Sequence, residues 1–299
     1  MKKQYWYGII GLLIVTVIVM FSILNKPTKE EKEQQLQELF TLIQDNNEKE
    51  VTQLIKKNKE LLHMEIENKT PLDTALDAQG YTIAIMLLEA GGSTSAPLFI
   101  AASQSLLDYE HLSKGINKEQ KERVKYFEKV IETSKSKINE KDEDGDTALH
   151  IAASKSDVDI CKLLLKHGAD SSILNKNKEN PLQKAVGRGS LATAKVIYDT
   201  NHSLVKNVDR DGDTLLHDAV ESSRYQMYDW ILKVYPEIID KTNNDGRTPL
   251  SLSSTYGDVQ TVRYLIQHGA NKTIGSKENL LPYDYAVKNN NTEIMNILK

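Results

Sequence analysis

The sequence has almost no cysteine, the residue that disulfide, thiol-redox and thiolate-metal chemistry requires. Among its 299 residues there is one cysteine, Cys161, so an internal disulfide framework and a cysteine-rich zinc site are both excluded. It contains no HExxH motif, and no histidine pair stands at ligand spacing with a carboxylate. We therefore expect no catalytic residues, no metal and no cofactor. Cys161 lies in an apolar stripe and is interpreted as a buried, unreactive thiol.

An excess of charge of either sign is also missing. The chain has 38 Lys and Arg against 42 Asp and Glu, a formal net charge of −4. Nucleic-acid-binding domains usually carry a basic face or stripe, so we expect no nucleic acid among the partners. The high content of lysine, asparagine and glutamate is typical of a bacterial protein from an AT-rich genome.

Long hydrophobic runs are absent except near the start of the chain. Residues 8–24, GIIGLLIVTVIVMFSIL, carry no charge. As a helix they would span about 26 Å, close to the thickness of the hydrocarbon core. Tyr5, Trp6 and Tyr7 precede them, where an interfacial aromatic belt is expected. A cleaved signal peptide is the alternative, but its apolar region is usually shorter, and no small-residue cleavage site follows. We predict a transmembrane helix at 8–24.

The predicted membrane span divides the chain into regions. Residues 1–7 are a short basic and aromatic tail, 25–33 a polar linker, and 34–299 a single domain in water. Lys2 and Lys3 lie on one side of the span, and the linker lysines on the other, so the positive-inside count is nearly tied. Because so short a tail is readily retained, we expect single-pass insertion in the cell membrane, with the domain outside the cytoplasm.

The strongest positive signal is an internal repeat. The segments TALHIAA, NPLQKAV, TLLHDAV and TPLSLSS begin at Thr147, Asn180, Thr214 and Thr248, at steps of 33, 34 and 34 residues. In each copy a leucine stands two positions on and a small residue five positions on. The second half of a unit is an apolar helical stripe that ends at a glycine. Weaker copies begin at Thr70, Ala96 and Leu281.

This pattern resembles the ankyrin repeat, whose signature T-P-L-H-x-A recurs about every 33 residues. TALHIA and TLLHDA match it well, and TPLSLS and TPLDTA match it in part. The resemblance covers about residues 34–299, in about eight units, of which the first and last are degenerate. It implies an all-α solenoid of helix-turn-helix units joined by hairpin loops, here called fingers, and a protein-binding function on an extended surface.

Two irregular steps interrupt the period. From Thr70 to Ala96 the step is only 26 residues, which predicts that a finger is missing. From Ala96 to Thr147 it is 51 residues, which predicts an insertion. The predicted insertion is residues 108–123, DYEHLSKGINKEQKER, ahead of a longer second helix.

The segments DEDGDTALH and DRDGDTLLH also invite comparison with a calcium loop. An EF-hand loop needs glycine at position 6 and glutamate at position 12. Counted from Asp142 or Asp209, glycine stands at position 4, and position 12 is Ala153 or Val220. We therefore interpret Asp-Gly as the tight turn of a finger. The threonine and the histidine three residues later are interpreted as a helix cap.

The finger tips are the candidate partner-binding sites, because they project from the stack and contribute little to its core. Their charges alternate from one finger to the next, which would steer and register a complementary partner. The candidate residues are Asp142, Glu143, Asp144, Lys176, Lys178, Asp209, Arg210, Asp211, Asn243, Asn244 and Asp245.

These observations favour a membrane-anchored, non-catalytic protein-binding module of the scaffold, inhibitor or immunity and regulatory type. A structural spacer that holds the membrane at a distance is one alternative. An enzyme whose active site is formed by the 108–123 insertion is another. The repeat itself does not indicate the partner, because a fold does not specify a function.

Overall fold

The computed structural model describes residues 27–78, 80–94 and 119–299. The chain divides after Ser93 into two compact units. All regular secondary structure in the described ranges is helical, and their only β pairing consists of isolated bridges, Ile66 to Lys69 and Lys141 to Thr147. The all-α prediction is therefore confirmed.

The described residues of the first unit form two helix pairs. The helices are α1 (Lys29–Gln44), α2 (Glu48–Lys57), α3 (Pro71–Asp77) and α4 (Tyr81–Glu89), with a 3-10 turn at Lys59–His63. Helix α1 begins inside the segment predicted as linker, because Thr28 and Glu31 form a capping box there. Thr70 and Asp73 form the capping box of α3. The short turn from Ile66 to Lys69 stands where later units have a finger.

The described part of the second unit begins with a single long helix and continues as helix pairs. Its helices are α5 (Glu119–Ser134), α6 (Ala148–Ser154), α7 (Val158–Lys166), α8 (Pro181–Arg188), α9 (Leu191–Tyr198), α10 (Leu215–Glu221), α11 (Tyr225–Val234), α12 (Pro249–Tyr256), α13 (Val259–Gln267), α14 (Pro282–Lys288) and α15 (Thr292–Leu298). Three 3-10 turns are described as well: Lys135–Lys137, His202–Lys206 and Pro236–Asp240.

Helix α5 corresponds to the longer second helix expected after the insertion. It has 16 residues and packs against α7, whereas α6 to α15 have 7 to 10 residues each. Of the predicted insertion, residues 119–123 form the start of α5. The other insertion residues, 108–118, and the predicted preceding helix near Leu98 lie outside the described residues.

The first helices of successive pairs form a stack. Each of α6, α8, α10, α12 and α14 packs against the next. The repeat leucines Leu149, Leu182, Leu216 and Leu250 are 0% exposed in this stack. Helices this short are not stable alone in water, so each depends on burying its apolar face against its neighbours. The predicted alignment of the repeats is thus confirmed.

The glycines predicted to end the second helices do so. Gly168 follows α7 with φ +94°, and Gly269 follows α13 with φ +89°. Both lie in the left-handed region, which costs glycine little because it has no Cβ.

In the described parts of the chain, no helix is both long and apolar enough to cross a membrane. The predicted tail at 1–7 and the predicted span at 8–24 lie outside the described residues.

Candidate partner-binding surface

The fingers of the second unit are built on one side-chain turn. Asp142 Oδ1 accepts the backbone N–H groups of Asp144 and Asp146, at 3.0 and 2.8 Å. The same pair of bonds is accepted by the equivalent side chains Asn175, Asp209 and Asn243. Asp and Asn side chains commonly form turns of this kind by hydrogen-bonding to the backbone of the residues that follow. Asp142 and Asp209, the first residues of the segments compared with a calcium loop, thus bind the backbone of their own fingers, and the interpretation as a turn is confirmed.

Backbone hydrogen bonds join each finger to the next. The Lys176 N–H donates to the Asp144 carbonyl at 2.9 Å, and the Arg210 N–H to the Asn177 carbonyl at 2.7 Å. The same bond joins Asn244 to Asp211 and Lys277 to Asp245. These bonds form a ladder that fixes the backbone of the finger tips relative to one another.

The ladder also explains the glycine in the Asp-Gly turns. Gly212 has φ +77°, and a Cβ at this position would lie 2.7 Å from the backbone nitrogen of Asn244. At Gly145, with φ +79°, a Cβ would lie 3.0 Å from the nitrogen of Lys176. A side chain at either position would strain the turn and displace the next finger.

Some of the predicted tip residues are used by the fingers themselves. Arg210 Nη2 donates to the carbonyl oxygen of Lys176 at 2.7 Å. Asn244 Nδ2 donates to the carbonyl oxygen of Arg210 at 2.9 Å. With the turn-forming side chains, the residues occupied in this way are Asp142, Asp209, Arg210, Asn243 and Asn244. Their side chains hold the fingers in place.

The other predicted tip residues have exposed side chains: Glu143, Asp144, Lys176, Lys178, Asp211 and Asp245. Asp245 lies 4.0 Å from Arg247 of its own finger, and a pair at this distance with an exposed aspartate contributes little to stability. The two lysines of the second finger stand between acidic side chains on the first and third. Opposite charges therefore lie on adjacent tips of a rigid ladder.

A further finger, at residues 276–280, was not included in the prediction. The Ser276 N–H donates to the Leu280 carbonyl at 2.9 Å, and Lys277 and Glu278 are exposed at its tip. The step of 33 residues from Asn243 to Ser276 was the signal that could have found it.

Below the fingers, a buried threonine and histidine begin two of the first helices. The backbone N–H and the hydroxyl of Thr214 both donate to His217 Nδ1, at 3.2 and 2.9 Å. Nδ1 is thus the acceptor, and Nε2 carries the proton that it donates to the Arg247 carbonyl, 3.0 Å away. Burial lowers the pKa of His217 to about 4. The same arrangement links Thr147, His150 and Glu179.

A half-buried ion-pair cluster lies at the base of the second finger. Lys184 Nζ is 2.7 Å from Glu179 Oε2 and 3.9 Å from Asp146 Oδ2. Burial alone would lower the pKa of Lys184, but the hydrogen bond and charge of Glu179 outweigh this effect and raise it. The charge of Lys184 is therefore balanced inside the protein.

One repeat further on, aspartate replaces this lysine. Asp218 stands in the position of Lys184 and accepts a weak hydrogen bond from Gln183 Nε2 at 3.4 Å. Burial raises the pKa of Asp218 well above its usual value. Nearby, Asp213 accepts a hydrogen bond from Asn243 Nδ2 at 2.8 Å, and burial raises the pKa of Asp213 to about 6. Within the described residues, no Lys or Arg forms an ion pair with these two carboxyl groups.

An open groove of about 370 Å³ runs across the first helices α6, α8 and α10. It is lined by Lys155, directly after α6, by Arg188 at the end of α8, and by Asp218 and Glu221 on α10. On the next helix, the Tyr256 hydroxyl donates to Glu221 Oε1 at 2.9 Å, and the residue is 54% exposed. Basic and then acidic side chains thus succeed one another along the stack.

Sites for chemistry are not found in the part of the chain that the structure describes. Cys161 is buried in α7, and burial raises the pKa of its thiol, so it is not a thiolate nucleophile. The same residues contain no group of three His, Cys, Asp or Glu side chains that could hold a metal ion.

Comparison with known families agrees with this geometry. A family profile described as "Ankyrin repeats (3 copies)" matches residues 98–204 and 232–299, more than half of the chain. This chain belongs to the ankyrin-repeat family. The stretch between the two matches contains a further ankyrin unit in the structure, with its finger, its Thr214–His217 cap and helix α10.

Its ankyrin-repeat relatives include proteins of several kinds. It is 28% identical to the nuclear factor NF-kappa-B p105 subunit of Gallus gallus over 52% of this chain and 16% of the relative. Identity to neurogenic locus notch homolog protein 1 of Mus musculus is 26%, over 74% of this chain and 8% of the relative. A putative ankyrin repeat protein of fowlpox virus is 27% identical over 52% of this chain and 47% of the relative.

This chain therefore spans less than half of the length of each of these relatives. What they share with it is the ankyrin repeat, a protein-binding module that presents an extended surface.

Proposed function

We propose that this ankyrin-repeat protein is a membrane-anchored, non-catalytic module that binds a protein partner through its finger tips. Its role would be that of a scaffold, an inhibitor or an immunity and regulatory protein. One observation carries the proposal: the ladder fixes the backbone of the tips, while Lys176, Lys178 and the acidic side chains beside them stay exposed.

A rigid, charged ladder suits recognition for two physical reasons. Its backbone is already ordered, so binding costs less conformational entropy than ordering a flexible loop would. The alternation of charge on adjacent tips favours a partner with the complementary order and speeds its association. The first reason rests on the ladder bonds, and the second on Glu143, Lys176 and Asp211.

The membrane anchor in this proposal is supported by the sequence of residues 8–24, which carry no charge. The shortness of the basic 1–7 tail supports insertion with the repeats outside the cytoplasm, and the composition supports a bacterial source. Protease added to intact cells should therefore digest the repeats. Full protection until lysis would reverse the proposed orientation.

Site-specific cross-linking of the full chain in its own membrane tests the binding surface. A photoreactive residue at position 143, 176 or 211 should give a covalent adduct with one and the same protein. The matched positions are Lys162 and Lys195, exposed on the outer helices α7 and α9, and they should give no such adduct. Equal labelling at tips and outer helices would refute binding by the fingers. The absence of an adduct at every position would favour the spacer.

Charge reversal then measures what the tips contribute. Lys176→Glu with Lys178→Glu should slow association with the captured partner, and the effect should shrink as salt screens the charges. The melting temperature should hardly change, because both side chains are exposed. Lys162→Glu with Lys195→Glu is the control of equal charge change. Unaltered association kinetics at low ionic strength would move the binding site off these fingers.

A further inference from the structure

We infer that the groove across α6, α8 and α10 binds an extended segment of the partner in one direction. An acidic side chain of that segment would meet Lys155 and Arg188, and a basic side chain would meet Asp218 and Glu221. This inference rests on the proposed function and adds the chemistry of the partner to it.

The first support is at the basic end of the groove. Within the described residues, Lys155 and Arg188 form no ion pair, whereas Lys184 between them is bound by Glu179 at 2.7 Å. The basic end of the groove is therefore defined by Lys155 and Arg188. Both are accessible, and the Arg188 side chain is exposed.

The second support is at the acidic end. Glu221 is exposed and accepts only the Tyr256 hydroxyl among the described residues. Asp218 has the weak bond from Gln183 at 3.4 Å. A lysine or arginine side chain from the partner would supply a cation beside Asp218, where the preceding repeat has Lys184 of its own. It would also favour the ionised form of Asp218, whose pKa burial raises.

The spacing of the helices sets the length of the segment. Packed helices lie about 8–10 Å apart, so the path from Lys155 across α8 to Glu221 is roughly 20 Å. An extended chain rises about 3.3 Å per residue, so roughly six residues separate the acidic and the basic side chains of the segment. A protein segment fits this shape better than a compact ligand does, since the groove is open and leads on to the exposed ring of Tyr256. Tyrosine is a frequent anchor in such interfaces.

Selection from a peptide library tests the inference with the full chain in detergent micelles. The probe is a phage-displayed library of random peptides of about 12 residues, twice the expected span. The wild-type chain should enrich peptides with acidic residues at one end and basic residues about six positions away. The double variant Arg188→Glu with Glu221→Lys keeps Lys155 and Asp218, so each end of its groove carries both signs, and it should not enrich peptides of this pattern.

Affinity for the enriched peptides provides the quantitative readout. Arg188→Glu and Glu221→Lys should each weaken binding about tenfold at low salt, since each replaces an attraction with a repulsion. The matched controls Lys162→Glu and Glu237→Lys, both exposed and away from the groove, should leave it unchanged. Thermal melting of every variant would show that the fold is retained.

Three results would overturn the inference. They are enrichment of apolar or single-sign peptides, binding that Arg188→Glu does not weaken, and no peptide that prefers the wild type over the double variant. Peptides that lose binding only through Lys176→Glu and Lys178→Glu would overturn the groove and leave the finger-tip proposal standing. Cross-linking of the partner to groove positions but not to the finger tips would overturn the finger-tip proposal and leave the groove inference standing.

Discussion

Replacing His217 with alanine should destabilise its repeat strongly, because one ring makes contacts to two fingers. The imidazole accepts from the N–H and the hydroxyl of Thr214 at 3.2 and 2.9 Å, and donates to the Arg247 carbonyl at 3.0 Å. His217 is 0% exposed, so these groups would lose their partner inside the protein. An unsatisfied buried polar group costs about 1–3 kcal/mol. We expect a total loss of about 3–5 kcal/mol of unfolding free energy.

The chain itself supplies a milder substitution at this position. In helix α8 the equivalent residue is Gln183, whose Oε1 accepts the Asn180 N–H at 3.2 Å. His217→Gln should therefore keep the helix cap and lose mainly the bond to the next finger, at a cost of about 1–2 kcal/mol. The difference in unfolding free energy between the alanine and glutamine variants therefore measures the contribution of the helix cap.

The lowered pKa of His217 predicts that the stability difference between the wild type and His217→Gln depends on pH. The native pKa of His217 is about 4, against 6.5 for an ordinary histidine. Because the unfolded chain binds this proton more readily, the contribution of neutral His217 is complete above about pH 6.5 and is lost as the pH falls through 4. The loss is on the order of 3 kcal/mol. His217→Gln lacks this loss, so its deficit should shrink below pH 6.5, reach zero between about pH 6 and pH 5, and be reversed by pH 4.

Urea unfolding of the full chain in detergent micelles provides the measurement. Trp230 lies in α11 of the same repeat and is 9% exposed, so its fluorescence reports on the affected unit. A Trp6→Phe background removes the second tryptophan signal. Equal unfolding midpoints for the alanine and glutamine variants would refute the cap. A constant gap between wild type and His217→Gln from pH 7 to pH 4 would refute the depressed pKa.

Two further predictions concern Leu164 in the core and the half-buried carboxyl group of Asp213. Leu164→Ala should cost about 2–5 kcal/mol, since the side chain is 0% exposed, whereas Lys162→Ala on the exposed face of α7 should stay within about 0.5 kcal/mol; equal melting shifts would contradict the repeat alignment. Asp213→Asn should stabilise the protein by about 1–2 kcal/mol at pH 8, because burial raises the pKa of Asp213 to about 6 and its ionised form is disfavoured. This gain should vanish as the pH falls from 6 towards 4, and the exposed control Asp211→Asn should show no gain at either pH.

Much of the fold could be predicted from the sequence because the repeat is a local signal. The leucines, the small residues and the helix-ending glycines recur at fixed steps, and each packs as its position indicates. The turn at Asp142 could be predicted for the same reason, since its hydrogen bonds reach only to Asp146. The finger at 276–280 was missed because serine at its first position weakens the turn signature, although the period continues through it.

The candidate site could be predicted only in part. The finger tips could be predicted from the sequence as exposed loops, but tip side chains that bond to other fingers could not be distinguished from those that do not. The side chains of Arg210 and Asn244 donate hydrogen bonds to backbone carbonyls of the preceding finger, at 2.7 and 2.9 Å. Such bonds join residues about one repeat apart, and no local pattern distinguishes them from free side chains. The sequence likewise could not show that Lys184 forms an ion pair with Glu179, whereas Asp218 accepts only a weak hydrogen bond from Gln183.

The sequence by itself thus determined the repeating unit, its helices, its caps and the family, since each of these depends on residues within one period of about 33 positions. Only the tertiary structure decided which charges are available to a partner. That depends on what stacks above and below each side chain, and stacking brings together residues such as Lys184 and Asp146, whose contact at 3.9 Å joins neighbouring repeats. A repeat can be recognised in isolation, but its binding surface exists only where neighbouring repeats meet.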